Sequence, residues 1–288
     1  MKKQSMEKVV PYLFLLPFGI FFLVLFIGPA LNSLFISFSS YRGYGQMRMV
    51  GFKNYFAILN YKVFWIELRN VIIYWAIHVF PMMLLSFGMA LLVSSPLFSN
   101  LSRYKILLFL PRVIAPVIAA LIFRALFGTE NGLVNSLFNL DIDWLHNDFT
   151  SRIVISTVLV WRDFGYWFVV FLAGLTSISP ELIDASVVDG ANSFQRITKI
   201  TIPLMNNIIK FAFIIDGISS LRLFSIPNIL IGQPDQMAPT AIAPVMNLLV
   251  ESIQSGNFGR ASAVGWLLFI VIGLLTIVQS ACIKDVDV

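Results

Sequence analysis

Between Lys8 and Arg42 the chain runs "VVPYLFLLPFGIFFLVLFIGPALNSLFISFSSY" without one charged residue. A water-soluble fold has no place for such a stretch. A helix, in contrast, needs only about 20 apolar residues to cross the hydrocarbon core of a bilayer. The rest of the chain repeats the pattern. Of its 288 residues, 58% are hydrophobic and 12% charged, and mean hydropathy is +0.84. A soluble domain normally carries about 25% charged residues. Composition therefore defines an integral membrane protein.

The same composition excludes several function classes. A net charge of +5, scattered along the chain, is too small to suggest nucleic acid. It suits loops that meet anionic lipid headgroups. The single cysteine, Cys282, excludes an internal disulfide and a Cys-based metal cluster. His78 and His146 lie far apart without the partner set that zinc requires. No G-x-x-x-x-G-K-[ST] run occurs, so the chain does not bind ATP through a P-loop of its own. A cleavable signal has an apolar core of about 7–15 residues and a small-residue cleavage site. The first apolar run is longer and has no such site, and it reads as a retained membrane helix.

Six segments are long and apolar enough to span a bilayer: about 11–37, 70–94, 105–127, 153–176, 206–231 and 261–283. An all-α polytopic membrane protein with six transmembrane helices is expected, the whole of 1–288 forming one domain. Prolines at 17, 29, 81, 111, 116 and 227 fall within these spans. Membrane helices tolerate them as kinks, and kinked bundles leave cavities. The loop 38–69, with "GFKNYFAIL", reads as an amphipathic piece at the interface. Lys2, Lys3 and Lys8 place the N-terminus in the cytoplasm by the positive-inside rule, and Arg103, Lys105, Arg196, Lys199 and Lys284 then fall on the same side. Arg42, Arg48, Lys53, Lys62 and Arg69 weaken the bias from the other side. An even number of spans puts both termini together.

One loop, about 177–205, differs from the rest. In "DASVVDGANSFQRITKITIP", Asp184 to Pro203, four charges separate two apolar runs. Ser179 is a good N-cap and Pro180 suits the first helical position. Glu181 and Asp184 fall in the first turns, where acids favour the helix dipole. Gly190 can end the helix in a left-handed conformation, and Asn192 or Ser193 can cap a second short helix. The loop thus predicts helix, sharp turn, helix. Periodicity alone leaves two uses open: an interfacial helix on headgroups, or an element that docks on another protein.

This loop resembles the cytoplasmic motif in the membrane subunits of binding-protein-dependent ABC importers: E-A-A, three residues, Gly, nine residues, Ile, one residue, Leu-Pro. Asp184-Ala185-Ser186 stands for E-A-A, Gly190 follows three residues later, and Ile200 and Ile202-Pro203 complete the pattern. Asp189, Ala191 and Gln195 match the form common among sugar importers. The departures, Asp for Glu, Ser for Ala and Ile for Leu, are conservative. "VGFKNY" (50–55), "LPRVIAPVIAALIFRALFGTENGLVN" and "GNFGRASAVGWLLFIVIGLL" are similar to segments of MalF-type subunits of carbohydrate importers, while "IGQPDQMAPT" departs from the usual Gly-Gly-Pro by one residue. Nearly the whole chain is covered.

The resemblance implies the type I ABC importer permease architecture. It implies that the chain does no covalent chemistry and holds no cofactor, ATP and Mg being used by separate subunits. Its expected partners are a second homologous permease, two ATP-binding cassette ATPases, an extracellular solute-binding protein, membrane lipid and a sugar. The expected location is the bacterial cytoplasmic membrane, with both termini and the odd loop in the cytoplasm. Glu181, Asp184, Ala185, Ser186, Asp189, Gly190, Ala191, Gln195 and Pro203 become the ATPase-coupling set.

Charged residues inside spans are costly and mark functional sites by default. Arg162 and Asp163 lie in the fourth span, Asp216 and Arg222 in the fifth. Either Arg162 pairs with Asp216, or Asp163 with Arg222, as structural ion pairs, or these charges line a solute pathway. In the resembled family, sugar-contacting positions fall on these two spans. That places Arg162, Asp163 and Tyr166 on one side of the path, and Asp216, Ser219, Arg222 and Leu223 on the other. Arg124 reads as a snorkelling helix end and His78 as a packing residue, while Arg112 fits either role. A related permease for glycerol phosphate or a polyamine, and a transporter driven by an ion gradient with Asp163 or Asp216 as its ion site, are the rival readings. The coupling motif argues against the second.

Overall fold

The computed structural model describes residues 2–95, 105–128, 132–232 and 237–282. Residues 233–236 of "IGQPDQMAPT", residues 129–131, Arg103 and Lys284 lie outside the described residues. In a bilayer only an intrachain ladder can satisfy the backbone, so the apolar runs become helices. Helix α1 (Lys2–Phe22) continues through a π-turn at Leu23–Ile27 into α2 (Gly28–Ser37). Pro29, which has no N–H to give, stands directly after that turn. A short antiparallel ribbon pairs β1 (Ser39–Ser40) with β2 (Arg48–Met49) and leads into α3 (Lys53–Leu59). There follow α4 (Lys62–Ser94), α5 (Lys105–Val113), α6 (Pro116–Leu126), α7 (Leu133–Phe138) and α8 (Asp148–Thr176). The odd loop holds α9 (Pro180–Val188), α10 (Ser193–Arg196), a π-turn at Ile197–Thr201 and α11 (Ile202–Leu204). The chain ends with α12 (Asn206–Leu221), α13 (Ser225–Ile231), α14 (Met246–Gln254) and α15 (Phe258–Cys282).

Four stretches are each one helix long and apolar enough to cross a membrane, and two bent pairs bring the number to six. The bends refine the predicted spans. The third turns by 97° between α5 and α6. Ala115, before Pro116, is extended (ψ 140°), as the residue ahead of a proline prefers. The fifth predicted span, 206–231, divides at Arg222–Phe224. Pro227 cannot donate to the Leu223 carbonyl one turn back and would clash with it, so the helix restarts at Ser225. The second and fourth helices begin earlier than hydropathy placed them, because their first turns carry Lys62, Glu67 and Arg69, and Asp148 and Arg152.

The chain divides into two compact units, Met1–Tyr61 with Leu248–Ile270, and Lys62–Asn247 with Val271–Val288. In the first, the "GFKNY" segment ties the ribbon to its neighbours. Asn54 Nδ2 donates to the carbonyls of Ser37 and Ser39, both at 2.8 Å, and Tyr55 Oη lies 2.7 Å from Ser37 Oγ. The Arg260 guanidinium sits 5.2 Å over the Tyr61 ring.

In the second unit, α4 and α8 pack along their length, with α5, α6, α12 and α13 around them. Two apolar clusters result. One joins Tyr74, Phe123, Val158, Ile226 and Leu230; the other joins Val79, Met82, Trp167, Phe168, Met205 and Ala212. Along α4 the clusters are divided at His78, and along α8 at Arg162 and Asp163. The intramembrane charges therefore sit between two layers of hydrocarbon. Gly165 sets the approach of α5 to α8: a Cβ there would overlap the Leu108 backbone carbonyl. That contact brings Arg112, one turn beyond Leu108, beside Asp163.

Candidate functional site

Between the two apolar layers lies a cavity of about 390 Å³. Six of the seven predicted pathway residues line it: Arg162, Asp163, Asp216, Ser219, Arg222 and Leu223. The seventh, Tyr166, is not on the wall. Its ring lies under the Arg112 guanidinium at 5.1 Å and edge-on to Trp167, with ring centroids 4.9 Å apart. It holds Arg112 from behind by cation–π attraction.

The pairing inside the cavity differs from both pairs expected from sequence. Asp163 binds Arg112 from α5, and its Oδ1 lies 3.7 Å from Arg162 Nε. Asp216 faces His78 from α4, with Nε2 and Oδ2 3.0 Å apart and both side chains buried. The alignment of that contact falls short of a good hydrogen bond. His78 Nδ1 is 2.8 Å from the Tyr74 carbonyl and so carries its proton there. That leaves Nε2 turned toward the Asp216 carboxylate, so the imidazole is held between α4's own backbone and α12. Among the cavity residues that sequence reasoning did not assign to the path, His78 and Arg112 are the two basic ones. His78 is the one imidazole in a span, 70–94, that carries no acidic side chain, lysine or arginine, which was the available signal. Arg112 follows Pro111 just ahead of the bend, where a helix end can turn a cation inward. Arg124, exposed in the last turn of α6, donates to the carbonyls of Ile229 (2.9 Å) and Gly232 (3.1 Å) and closes the C-terminus of α13.

A separate groove of about 600 Å³, walled by Leu84, Leu92, Leu107, Val160 and neighbours, is lined almost wholly by apolar side chains. It suits lipid chains or another apolar helix.

The odd loop has the local structure its residues predict. Ser179 accepts from Glu181 N, capping α9. Asp189 is the C-cap, and Gly190 follows at φ +80°. Gly190 N donates to Val187 O (3.0 Å) and Ala191 N to Ser186 O (2.9 Å), the two bonds of a Schellman turn. Asn192 and Gln195 then exchange side-chain bonds with each other's backbone N–H, at 2.9 and 2.8 Å, in a capping box. Ser186 is buried and turns its hydroxyl onto Ile183 O. Asp184 lines a groove beneath the loop with Arg196, whereas Ala185 is exposed on α9 and Pro203 lies within α11. Leu182, Val187, Val188 and Phe194 are exposed, Val188 at 87%. A capped, rigid pair of helices with apolar side chains turned outward is suited to docking.

Comparison with known proteins agrees with this architecture. Residues 82–284 match the family described as "Binding-protein-dependent transport system inner membrane component". The arabinooligosaccharides transport system permease protein AraP of Bacillus subtilis is 30% identical over 95% of this chain and 88% of its own length. The lactose transport system permease protein LacF of Rhizobium radiobacter is 27% identical over 93% and 92%. The trehalose/maltose transport system permease protein MalF of Thermococcus litoralis is 26% identical over 96% and 94%. Among solved structures, a chain of a bacterial ABC transporter involved in import of the acidic polysaccharide alginate superposes with a TM-score of 0.82 at 20% identity, covering 99% of both chains.

A polytopic helical bundle with a polar cavity between apolar layers and a rigid capped loop is the fold of a transport-system membrane subunit. The chain belongs to the binding-protein-dependent transport system inner membrane component family. It is a membrane-embedded permease subunit of an ABC importer.

Proposed function

We propose that this subunit forms, with a second homologous permease, the path by which a sugar or oligosaccharide enters the cell. An extracellular solute-binding protein delivers the sugar. Two ATPase chains hydrolyse ATP with Mg on the cytoplasmic side, so this chain is not itself an enzyme. The cargo class rests on relatives matched over nearly their whole length, which are permeases named for arabinooligosaccharides, lactose and trehalose/maltose. A binding-protein partner is also supported by a similar fold found in an alginate ABC transporter in complex with an alginate pentasaccharide-bound periplasmic protein.

The observation that carries the path is the polar cavity, where Asp163, Asp216 and Ser219 can meet sugar hydroxyls and Leu223 a C–H face. The α9–α10 pair is the coupling element: its exposed Leu182, Val187, Val188 and Phe194 enter a cleft on the ATPase, and the Gly190 turn fixes the exit of the chain. That role places the loop and both termini in the cytoplasm. Closure of the ATPases then moves α12 through α11, and the cavity opens alternately to either side. ATP hydrolysis by the purified assembly, measured with its binding protein and a panel of sugars, tests this. The expected result is a several-fold rise with one sugar class. Hydrolysis that ignores every sugar but responds to another solute would overturn the cargo assignment.

A further inference from the structure

The cavity holds three guanidinium groups, Arg112, Arg162 and Arg222, but only two carboxylates, Asp163 and Asp216. One carboxylate is already engaged, since Asp216 faces the buried His78 imidazole at 3.0 Å. Asp163 balances one guanidinium, that of Arg112, and stands 3.7 Å from Arg162. Cations outnumber carboxylates in the lining, and Arg162 and Arg222 have no carboxylate of their own. Arg162 Nε is buried and meets no hydrogen-bond acceptor among the described residues. Arg222 stands on the open side of the cavity wall, exposed at the break between α12 and α13, with no acidic partner among the described residues. Hydrocarbon lies on both sides, in the clusters of Tyr74 and Phe123 and of Val79 and Phe168. Unbalanced cations at membrane depth are expensive. Hydroxyls can accept from them but cannot neutralise them. An ionised acid group does both, and a planar guanidinium binds a carboxylate through paired N–H donors.

We infer that the sugar carried through this cavity bears an ionised acid group, held by Arg162 and Arg222. This rests on the sugar-permease reading above and narrows it to acidic saccharides such as uronic acid oligomers. The Arg112–Asp163 pair and the Tyr166 ring beneath it stand beside Arg162 and fix the geometry of that wall. The His78–Asp216 pair is the remaining polar part of the lining.

The test uses the complete importer with its own binding protein in proteoliposomes. The probes are two panels of labelled di- and trisaccharides. One contains galacturonate, glucuronate and mannuronate oligomers. The other contains neutral arabinose, xylose, glucose and galactose oligomers. The expected result is ATP-dependent import of an acidic member, with neutral oligomers moved at least about tenfold more slowly. Arg162→Gln and Arg222→Gln should each lower acidic import about tenfold at unchanged yield of assembled complex. Import of a neutral oligomer at a rate equal to or above the acidic ones would overturn the inference and leave the sugar reading standing. Acidic import that survives both substitutions would also overturn it, since the charge would then be read elsewhere. Import of a non-sugar solute, with both panels refused, would instead remove the sugar reading itself.

Discussion

At the scale of single residues, the informative contact is His78 with Asp216. Both side chains are almost fully buried, at 2% and 3% exposure, and they join α4 to α12. A buried ionic pair adds little over two apolar side chains, but removing one member strands the other and typically costs about 3–5 kcal/mol. His78→Leu or Asp216→Leu alone should therefore lower the yield and melting temperature of the assembled complex. The double substitution should recover much of the loss. Thermal unfolding of the four proteins in detergent measures this directly. Equal stability of a single variant and the parent would mean that the pair bears no structural load. If the double variant is stable but transports poorly, the pair also serves the pathway. The same logic holds less strongly for Arg112 and Asp163, because Arg162 remains beside the carboxylate.

At the scale of elements, the decisive feature is the Gly190 turn. A Cβ at this position would meet no atom within 4 Å, so only the backbone conformation, φ +80°, resists substitution. A β-branched residue there costs roughly 1–2 kcal/mol of local strain. That is too little to unfold the subunit but enough to redirect the chain leaving α9. Gly190→Val is expected to insert and assemble yet to lose sugar-stimulated ATP hydrolysis. Gly190→Asn, which tolerates the left-handed region, should keep most of it. Wild-type coupling in the valine variant would show that the turn transmits nothing. This turn was legible in sequence because its determinants are local: Ser179, Gly190, Asn192 and Gln195 act on backbone groups within a few residues. The six apolar runs were legible for the same reason, and Pro116 and Pro227 marked breaks within two of them, whereas the 66° bend between α11 and α12 at Met205 was not read from sequence. The ion pairs were not. Whether Asp216 meets His78 or Arg162 depends on which helices touch, and Gly165, through its close approach to Leu108, decides where α5 lies. Hydropathy carries no information about such contacts.

At the scale of the whole molecule, the chain by itself leaves much unpartnered apolar surface. Leu84, Leu107, Leu121, Ile106 and Phe138 are all more than half exposed, the first two beside the apolar groove. Some of this surface faces lipid. The permease reading assigns the rest, and the open cavity, to a second permease. The chain expressed alone is therefore expected to be short-lived in detergent, and co-expression with the other permease and the ATPases to rescue it. A monodisperse, long-lived monomer would count against an obligate assembly. The central claim, that ATP hydrolysis coupled through α9 and α10 drives solute through the cavity beside Asp216, is tested most directly by uptake into proteoliposomes. These should contain the complete complex, with ATP or an ion gradient supplied separately. The account predicts sugar uptake with ATP at the ATPase face and external binding protein, unaffected by collapsing proton and sodium gradients and abolished by Gly190→Val. Uptake that follows a proton or sodium gradient and ignores ATP would contradict it.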